Sequence, residues 1–371
     1  MDHTSHKKIL VCPLDWGLGH AARTIPLIHA LQGYDDCEII LGVSGKSGEL
    51  LKSEFPQLQA LPFPSPHIRY SKSRNQVFRL MVQLPRFLAV IWKEHRLLKK
   101  MVERHDLSAV ISDNRYGLYH RSIPSVLLIH QVNLIMPRGM KLLERMANYW
   151  QHRWFRKFDQ VWIPDLPGFK NVAGRLSHIP FKLNHLYPLG ILSRFFYGQP
   201  AATQQEGLWD MVVVMSGPEP QKSMLTEMIT RQLKKLGSRA LLVKGEPGSR
   251  HYYEDGGITV VSHMPGDELH QQMKAAHLVV CRSGYSSVMD LLALGKQAIL
   301  IPTPGQPEQE YLARHLFDMG WFYFEKQQTL NLSRARTKAD GFVPPRMAVS
   351  DALFKRINWL YGKLKEQEGK Q

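Results

Sequence analysis

The chain has 371 residues, 44% of them hydrophobic, and a formal net charge of +16. One hydrophobic core seldom serves so long a chain, so we expect two globular domains, and the apolar content excludes an intrinsically disordered protein. Three cysteines without paired spacing exclude a disulfide scaffold, and the absence of any run near ~18 apolar residues excludes a membrane span, so we expect a reduced cytoplasmic protein without a signal peptide.

The first apolar run, residues 9–13, predicts a buried strand that turns into a helix through a glycine-bearing loop. Gly17, Gly19 and His20 lie at this turn, and Arg23 follows one helical turn later. The dipole of the helix lowers the pKa of a histidine at its N-terminus, which favours the neutral form that a general base needs. His20 is therefore a candidate base, or else it caps the helix, and Arg23 either faces the same cleft or is an ordinary surface residue.

Two N-terminal segments, residues 67–105 and 138–157, carry thirteen of the sixteen surplus positive charges. The first contains a predicted amphipathic helix over 76–104, which Pro85 kinks or divides, with an almost purely cationic outer face. Cations without acidic neighbours at i,i+4 destabilise a helix unless an outside anion neutralises them, as anionic lipid headgroups do. We therefore expect these cations to contact an anionic membrane surface, with a solvated helix face as the alternative: Arg79, Arg86, Lys93, Lys100 and Arg104.

Aromatic side chains in and just after the second basic segment favour the same membrane interpretation, because such residues suit a membrane interface. These aromatics are Trp150, Trp154, Phe155 and Phe158. No nucleic-acid-binding motif accompanies the charge, so we expect no nucleic-acid partner.

Two further predicted strands, residues 107–112 and 125–129, end in polar side chains. The carboxyl ends of parallel strands open on one edge of a sheet, so these side chains should converge on the cleft that holds His20. Asp113 is the second candidate for the general base. The side chains concerned are Asp113, Asn114, His130 and Asn133.

A polar, Gly- and Pro-bearing stretch at residues 198–207 predicts a linker between a first domain over 1–197 and a second over 208–345. The second domain begins with a strand over 211–215 and a turn at Ser216 and Gly217 before a helix. An amphipathic pattern over 351–365 predicts a terminal helix within 346–371 that crosses back to the first domain.

Residues 281–316 carry the most specific signal. A buried strand ends at Cys281, a turn of small residues follows, and a helix runs to Gly295. Such a turn directs unpaired amides and the positive end of a helix dipole at whatever lies above the sheet edge, which predicts an anion site. Asp290, one turn into the helix, lies about where a ribose hydroxyl would be if a nucleotide diphosphate occupied the helix start. Gln309 and Glu310 begin the next helix and offer an amide and a carboxylate to sugar hydroxyls.

The run Arg282-Ser283-Gly284, Asp290, Gly295, the Pro302 loop and Gln309-Glu310-Tyr311 resemble the donor-binding half of glycosyltransferase family 28, whose best-known member forms lipid II in peptidoglycan synthesis. The family has a glutamine at the position of Glu310. Its glycine-rich loop ending in Gly-His is similar to Gly17, Gly19 and His20, and its His-Glu-Gln-Asn run is similar to His130 and Asn133, with Gln131 and Val132 departing from it.

The resemblance implies an α/β fold of two doubly wound Rossmann-like domains facing across a cleft, the GT-B arrangement. It implies an inverting glycosyltransferase that takes a UDP-linked sugar such as N-acetylglucosamine as co-substrate, with a lipid-linked or glycolipid acceptor, at the inner face of the cytoplasmic membrane. The donor contacts implied are Ser216, Gly217, Met264, Arg282, Ser283, Gly284, Tyr285, Ser286, Asp290, Gln309 and Glu310.

The sequence contains no Asp-x-Asp pair and no His/Asp ligand cluster, so we expect neither a bound metal nor a cofactor other than the nucleotide sugar. Two other functions stay open at this point. One is a nucleotide-sugar epimerase of the same fold, and the other is a non-catalytic protein that binds a membrane or a nucleic acid.

Overall fold

A computed structural model describes residues 7–65, 76–136, 139–168, 170–180, 183–197, 207–246 and 248–368. Within helix 76–105, the side chains of residues 76–82 and 84 lie outside the description. The start of the first basic segment, residues 67–75, therefore lies outside the described residues, as do the side chain of Arg79 and all but the last residue of the predicted linker.

The first sheet contains seven parallel strands in the order β3-β2-β1-β4-β5-β6-β7. Its strands are Lys7–Pro13 (β1), Cys37–Val43 (β2), Gln59–Pro62 (β3), Leu107–Asp113 (β4), Ser125–Leu128 (β5), Gln160–Ile163 (β6) and Leu186–Pro188 (β7). The helices between them are Leu18–Gln32 (α1), Gly45–Glu54 (α2), Gln76–His105 (α3) and Lys141–Phe155 (α4). We call the unit built on this sheet the first domain.

The second sheet also contains seven strands, in the order β10-β11-β9-β8-β12-β13-β14, and β10 is antiparallel to β11. Its strands are Trp209–Val214 (β8), Ala240–Val243 (β9), Tyr252–Asp255 (β10), Ile258–Val261 (β11), Ala276–Cys281 (β12), Ala298–Leu300 (β13) and Tyr323–Phe324 (β14). Its helices are Gln221–Leu236 (α5), Gly266–Ala275 (α6), Tyr285–Leu294 (α7), Pro307–Asp318 (α8) and Leu332–Ala339 (α9). We call this unit the second domain.

Both sheets are covered by helices on their two faces, because apolar side chains occupy successive positions of the central strands. Ile9, Leu10 and Val11 are all buried and pack into cores on opposite faces of the first sheet. Gly295 ends α7 in the left-handed conformation, with φ +62°, which a side chain would strain. These are two doubly wound α/β domains, as the sequence predicts.

The C-terminal helix Asp351–Glu368 (α10) packs on the first domain although it follows the second in the chain. Its apolar face buries Leu353, Ile357, Leu360 and Leu364 in the core formed by α1 and the first sheet. The two domains are thus tied together by a helix that belongs to the core of one and is connected to the other.

Two details bear on the sequence predictions. Of the two outcomes predicted at Pro85, a kink or a division, division is wrong, because helix α3 is continuous through Pro85. Phe155 and Phe158 are not at the surface: both are buried in a core with Leu127 and Val161, because α4 ends by turning its last apolar residues onto the sheet. The described part of the chain contains no helix both long enough and apolar enough to span a bilayer.

Candidate functional site

The first half of the site lies where the strand order of the first sheet reverses, between β1 and β4. The amide of Leu14, just after β1, donates to the carbonyl of Asp113 at the end of β4, at 3.0 Å. Gly17 has φ +89°, a conformation that favours glycine, and its carbonyl accepts a bond from Ser47 at 3.0 Å. The turn into α1 is thereby held at the sheet edge that Asp113 occupies.

Four of the predicted cleft residues form one buried polar cluster. Arg23 and Asp113 are only 3% and 1% exposed, and the Arg23 Nε donates to the two Asp113 carboxylate oxygens at 3.0 and 2.9 Å. A second Arg23 nitrogen, Nη2, also contacts Asp113, and Nη1 contacts Nδ1 of His130. Arg23 is therefore no surface residue: it joins His130 to Asp113.

His20 lies against the same pair. Its Nδ1 is 3.1 Å from Asp113 Oδ1 and 2.8 Å from Arg23 Nη2. Nδ1 either donates a proton to the carboxylate or accepts one from the guanidinium, and the first arrangement leaves Nε2 unprotonated and able to act as a base. The cluster thus contains a histidine–carboxylate pair of the kind that supports general base chemistry.

The electrostatics of the pair favour a neutral imidazole beside an ionised carboxylate. Burial and the neighbouring Arg23 charge lower the pKa of His20, against the opposite effect of Asp113. Burial by itself raises the pKa of Asp113, but the charge of Arg23 and the hydrogen bonds from His20 and Arg23 outweigh it and hold that pKa below its ordinary value.

The turn before α7 in the second domain faces this cluster. Ser286 donates its hydroxyl to the Gly19 carbonyl at 2.7 Å, and the ring of Tyr285 stacks on His130 with centroids 4.3 Å apart. The first amides of α7 have no carbonyl partner within the helix. They begin at the sheet edge where β12 ends, beside the loop that carries Gly17 to His20.

Two buried polar atoms lie near Gly217, beside the start of α7. Arg282 and Thr303 are each 1% exposed, and neither Arg282 Nε nor Thr303 Oγ1 has a hydrogen-bond partner within the described residues. A β-carbon on Gly217 would lie 3.7 Å from Thr303 Oγ1 and 4.0 Å from Arg282 Nε. Burial lowers the pKa of Arg282 to about 10, so the guanidinium remains a cation at neutral pH. This arrangement suits an anion.

Gln309 and Glu310 shape the loop after β13. The side-chain oxygen of Gln309 accepts from the amide of Thr303 at 2.9 Å, and its carbonyl accepts from Ser283 Oγ at 2.9 Å. Glu310 accepts from the amide of Gly305 at 3.0 Å and is exposed. Their predicted contacts with sugar hydroxyls stay predictions.

Four further predicted residues lie outside the polar cluster: Asn114, Asn133, Ser216 and Met264. Asn133 donates its side-chain amide to the carbonyls of Arg175 and His178, at 2.9 and 2.8 Å. Asn114 has φ +56° at the end of β4, and the side chain of Met264 is buried in the second-domain core. Ser216 is half-buried at the turn after β8.

Glu308, which precedes Gln309 and Glu310, is a site residue that was not predicted from the sequence. Its Oε1 lies 2.7 Å from Nε2 of His130, across the boundary between the domains. An acidic residue in the first turn of a helix is common for local electrostatic reasons, so the sequence offered no signal that this one reaches another domain.

Asp290 is engaged by the segment that leaves the first domain. Its carboxylate accepts from Ser193 Oγ at 2.7 Å and from Arg194 Nε at 3.1 Å, and the residue is buried. Burial raises the pKa of Asp290, against the charge of Arg194. A carboxylate has about four acceptor positions, so a ribose hydroxyl could share it with these two donors.

We expect the substitution Asp290→Asn to weaken UDP binding roughly 10- to 100-fold, because a hydrogen bond to a charged group contributes about 1.5–3 kcal/mol. Isothermal titration calorimetry with UDP measures this. The control is Asp318→Asn, which changes an exposed aspartate paired with Arg314 on α8. Equal UDP affinity in Asp290→Asn and the parent protein would remove the ribose assignment.

No group of three or more His, Cys, Asp or Glu side chains that could hold a metal ion occurs among the described residues. The cysteines Cys12, Cys37 and Cys281 are free thiols.

The chain is similar in sequence to known glycosyltransferases. Residues 212–338 match the model of the glycosyltransferase family 28 C-terminal domain. Over 330 residues, 84% of this chain and 78% of the relative, the chain is 25% identical to the UDP-N-acetylglucosamine–N-acetylmuramyl-(pentapeptide) pyrophosphoryl-undecaprenol N-acetylglucosamine transferase of Albidiferax ferrireducens.

Two solved structures share the fold. Spinosyn rhamnosyltransferase SpnG in complex with thymidine diphosphate matches with a TM-score of 0.59 and 13% identity, over 97% of this chain and 96% of that one. MurG of Acinetobacter baumannii matches with a TM-score of 0.52 and 14% identity, over 96% of this chain and 99% of that one. The two-domain architecture is therefore the GT-B fold.

Proposed function

We propose, from the premise that this chain belongs to glycosyltransferase family 28, that it transfers a hexose from a UDP-linked donor to a hydroxyl group of a lipid-linked or glycolipid acceptor. N-acetylglucosamine is our first candidate for the sugar. The observation that carries the proposal is the contact between Ser286, at the turn before α7, and Gly19, the neighbour of His20. It supports an anion site beside the His20–Asp113 pair.

The choice of donor rests on the site and on its relatives. The relative from Albidiferax ferrireducens is named for a UDP-N-acetylglucosamine donor, and the SpnG structure holds a nucleoside diphosphate. In our proposal the diphosphate lies over the first amides of α7, with Arg282 Nε and Thr303 Oγ1 as further donors. Both atoms are buried, so a bond to phosphate would satisfy groups that are otherwise costly to leave unpaired.

The proposed reaction is a direct displacement at the anomeric carbon. His20 Nε2 removes the proton of the acceptor hydroxyl while Asp113 holds Nδ1–H and stabilises the imidazolium that forms. The acceptor oxygen bonds to the anomeric carbon as the bond to the diphosphate oxygen breaks, so the configuration of that carbon inverts. The diphosphate leaves with the bonding electron pair and an added negative charge.

We propose that cationic and dipolar groups of the protein stabilise this leaving group without a metal ion. The α7 amides, the positive end of its dipole and the Arg282 guanidinium are in place before the reaction begins. Such preorganised donors supply much of the rate enhancement of many enzymes.

A panel of nucleotides tests the donor assignment by thermal stabilisation. We expect UDP at 100 times its dissociation constant to stabilise the protein by about 2.7 kcal/mol, which raises Tm, whereas AMP and inorganic phosphate leave it unchanged. Stabilisation by thymidine diphosphate alone would replace the base in our proposal, and indifference to every nucleoside diphosphate would contradict it.

We further propose that the protein associates peripherally with the inner face of the cytoplasmic membrane. The described cations of the α3 outer face, Arg86, Lys93, Lys100 and Arg104, are exposed. On α3, Trp92 is 54% exposed and Arg96 stacks on its ring. Helix α4 exposes a stripe at helical spacing: Leu142, Met146, Tyr149 and Trp150. Cations combined with exposed aromatic side chains suit an anionic lipid surface.

Reversing two charges of α3 tests this association. We expect Arg86→Glu with Lys93→Glu to lower binding to vesicles of phosphatidylglycerol and phosphatidylcholine about 30-fold or more, since each basic residue contributes about 1 kcal/mol. Flotation measures the bound fraction. The matched control reverses Arg336 and Lys338, which are exposed on α9 in the second domain. Equal loss of binding in both variants would show that net charge, and not the α3 face, determines association.

A further inference from the structure

The contact between Glu308 and His130 joins the two domains through ionisable groups. Glu308 belongs to the first turn of α8, and its carboxylate is 2.7 Å from His130 Nε2 in the first domain. The side chain of Glu308 is 31% exposed, whereas that of His130 is 9% exposed. His130 is thus enclosed between its own domain and a carboxylate that the other domain supplies.

The protonation of His130 follows from its two partners. The Arg23 guanidinium can only donate, so Nδ1 of His130 accepts from Arg23 Nη1. The imidazole proton of a neutral His130 then lies on Nε2, where it donates to Glu308. Arg23 and Glu308 together therefore fix the tautomer and the orientation of His130, and the ring stacked on Tyr285 has little freedom to rotate.

Glu308 also changes the net charge of the cluster. Arg23 and Asp113 neutralise each other, so without Glu308 the cluster holds no surplus negative charge. A proton accepted by His20 would then create a net positive charge in a buried site, which is unfavourable. With Glu308 ionised, the same proton brings the cluster to neutrality.

We propose that Glu308 is a positioning residue for the transfer: it fixes His130 and Arg23 and supplies the second negative charge that the His20 base requires, so the base is complete only while the domains are in contact. This inference rests on the proposed function. In this proposal, contact between the two domains brings the donor to His20 and also supplies the Glu308 charge that His20 needs to act as a base.

Charged and titratable groups of both domains influence His20 and Glu308. The pKa of His20 depends on Arg23, Asp113 and His130. The pKa of Glu308 depends on His130, Arg23 and His20. Burial alone would raise the pKa of Glu308, but the hydrogen bond from His130 and the charge of the neighbouring Arg23 lower it, so the carboxylate is ionised.

The variant Glu308→Gln keeps an oxygen that accepts from His130 but removes the charge. We expect kcat at pH 7 to fall about tenfold, with KM for the donor changed less than about twofold, and the acid limb of the pH–kcat profile to move roughly one pH unit lower. The limb moves down because a weaker negative field makes His20 harder to protonate. Glu308→Asp should recover part of both effects, and Glu227→Gln, an exposed α5 glutamate, is the matched control.

Titration of His20 by NMR of the full chain with labelled histidine separates this inference from the proposed function, because it needs neither donor nor acceptor. We expect His20, identified by its absence in His20→Gln, to titrate roughly one pH unit lower in Glu308→Gln than in the parent protein. An unchanged His20 titration would overturn the inference even if transfer is observed. If His20 titrates at lower pH in Glu308→Gln but the parent protein transfers no sugar, the proposed function is contradicted instead.

Discussion

Substitution of His20 by glutamine is expected to lower kcat about 10²- to 10⁴-fold, the range that a positioned general base contributes. The donor should still bind, since its proposed contacts lie in the second domain, so KM for the UDP-sugar changes little. Steady-state kinetics with a labelled donor measures both constants. Glutamine preserves the approximate size of the side chain and keeps an uncharged polar group near Asp113, which limits the structural disturbance there.

A control and a pH profile make this prediction specific. His277→Gln, at the exposed start of β12 and away from the sheet edge that carries the site, should leave kcat unchanged. In the parent protein, activity should be lost as the pH falls through the lowered pKa of His20, because a protonated imidazole cannot accept the acceptor's proton. If His20→Gln retains kcat within about twofold of the parent protein, a histidine base at this position is wrong and Asp113 becomes the base to test.

Replacing Arg23 by methionine is expected to reduce the free energy of unfolding by about 3–5 kcal/mol, because it leaves the Asp113 carboxylate buried without its cation. Urea denaturation followed by tryptophan fluorescence measures this loss. Arg23 lowers the pKa of Asp113, so the stabilisation is present above the ordinary pKa of a carboxyl group and disappears as the pH falls through the folded-state pKa. The difference between variant and parent protein should therefore shrink in acid.

The double variant Arg23→Met with Asp113→Asn separates stability from activity. Removing the charge of Asp113 should recover most of the lost stability, since no buried anion remains unpaired. Activity should not recover, because the carboxylate that holds His20 is absent. A single Arg23→Met variant that unfolds at the same urea concentration as the parent protein would contradict the account of the buried ion pair.

Much of the fold could be predicted from the sequence because the central strands are continuous apolar runs. β1, β4 and β12 each bury side chains on both faces, so their sequences stand out from their surroundings. The strand β10 was missed because it is a sheet edge whose residues are exposed, including Tyr252 and Tyr253, and so lacks an apolar run. The two-residue strand β14 is too short to show any period.

The first half of the site could be located from the rule that parallel strands end at one edge of a sheet. That rule brought Asp113, His130 and His20 together, and the structure joins them through Arg23. It could not show that Arg23 would be buried, since an arginine one turn into a helix is usually solvated.

Contacts between the domains could not be predicted from the sequence, because no local sequence pattern indicates which distant residues meet. Glu308 and His130 are 178 positions apart, and the pairing of Asp290 with Arg194 depends on how the segment after β7 crosses the cleft. The burial of Phe155 follows the same logic, since an aromatic at the end of a helix packs inward or outward according to what lies beneath it.

We propose above that a sugar is transferred from a UDP-sugar, whose diphosphate lies over the first amides of α7, to an acceptor hydroxyl that His20 deprotonates. Incubation of the parent protein with radiolabelled UDP-N-acetylglucosamine and a bacterial membrane lipid extract tests it most directly. We predict that label moves into the organic-soluble lipid fraction with the parent protein and does not with His20→Gln. Label that stays entirely in the nucleotide fraction, with this donor and with the other common UDP-hexoses, would contradict the account.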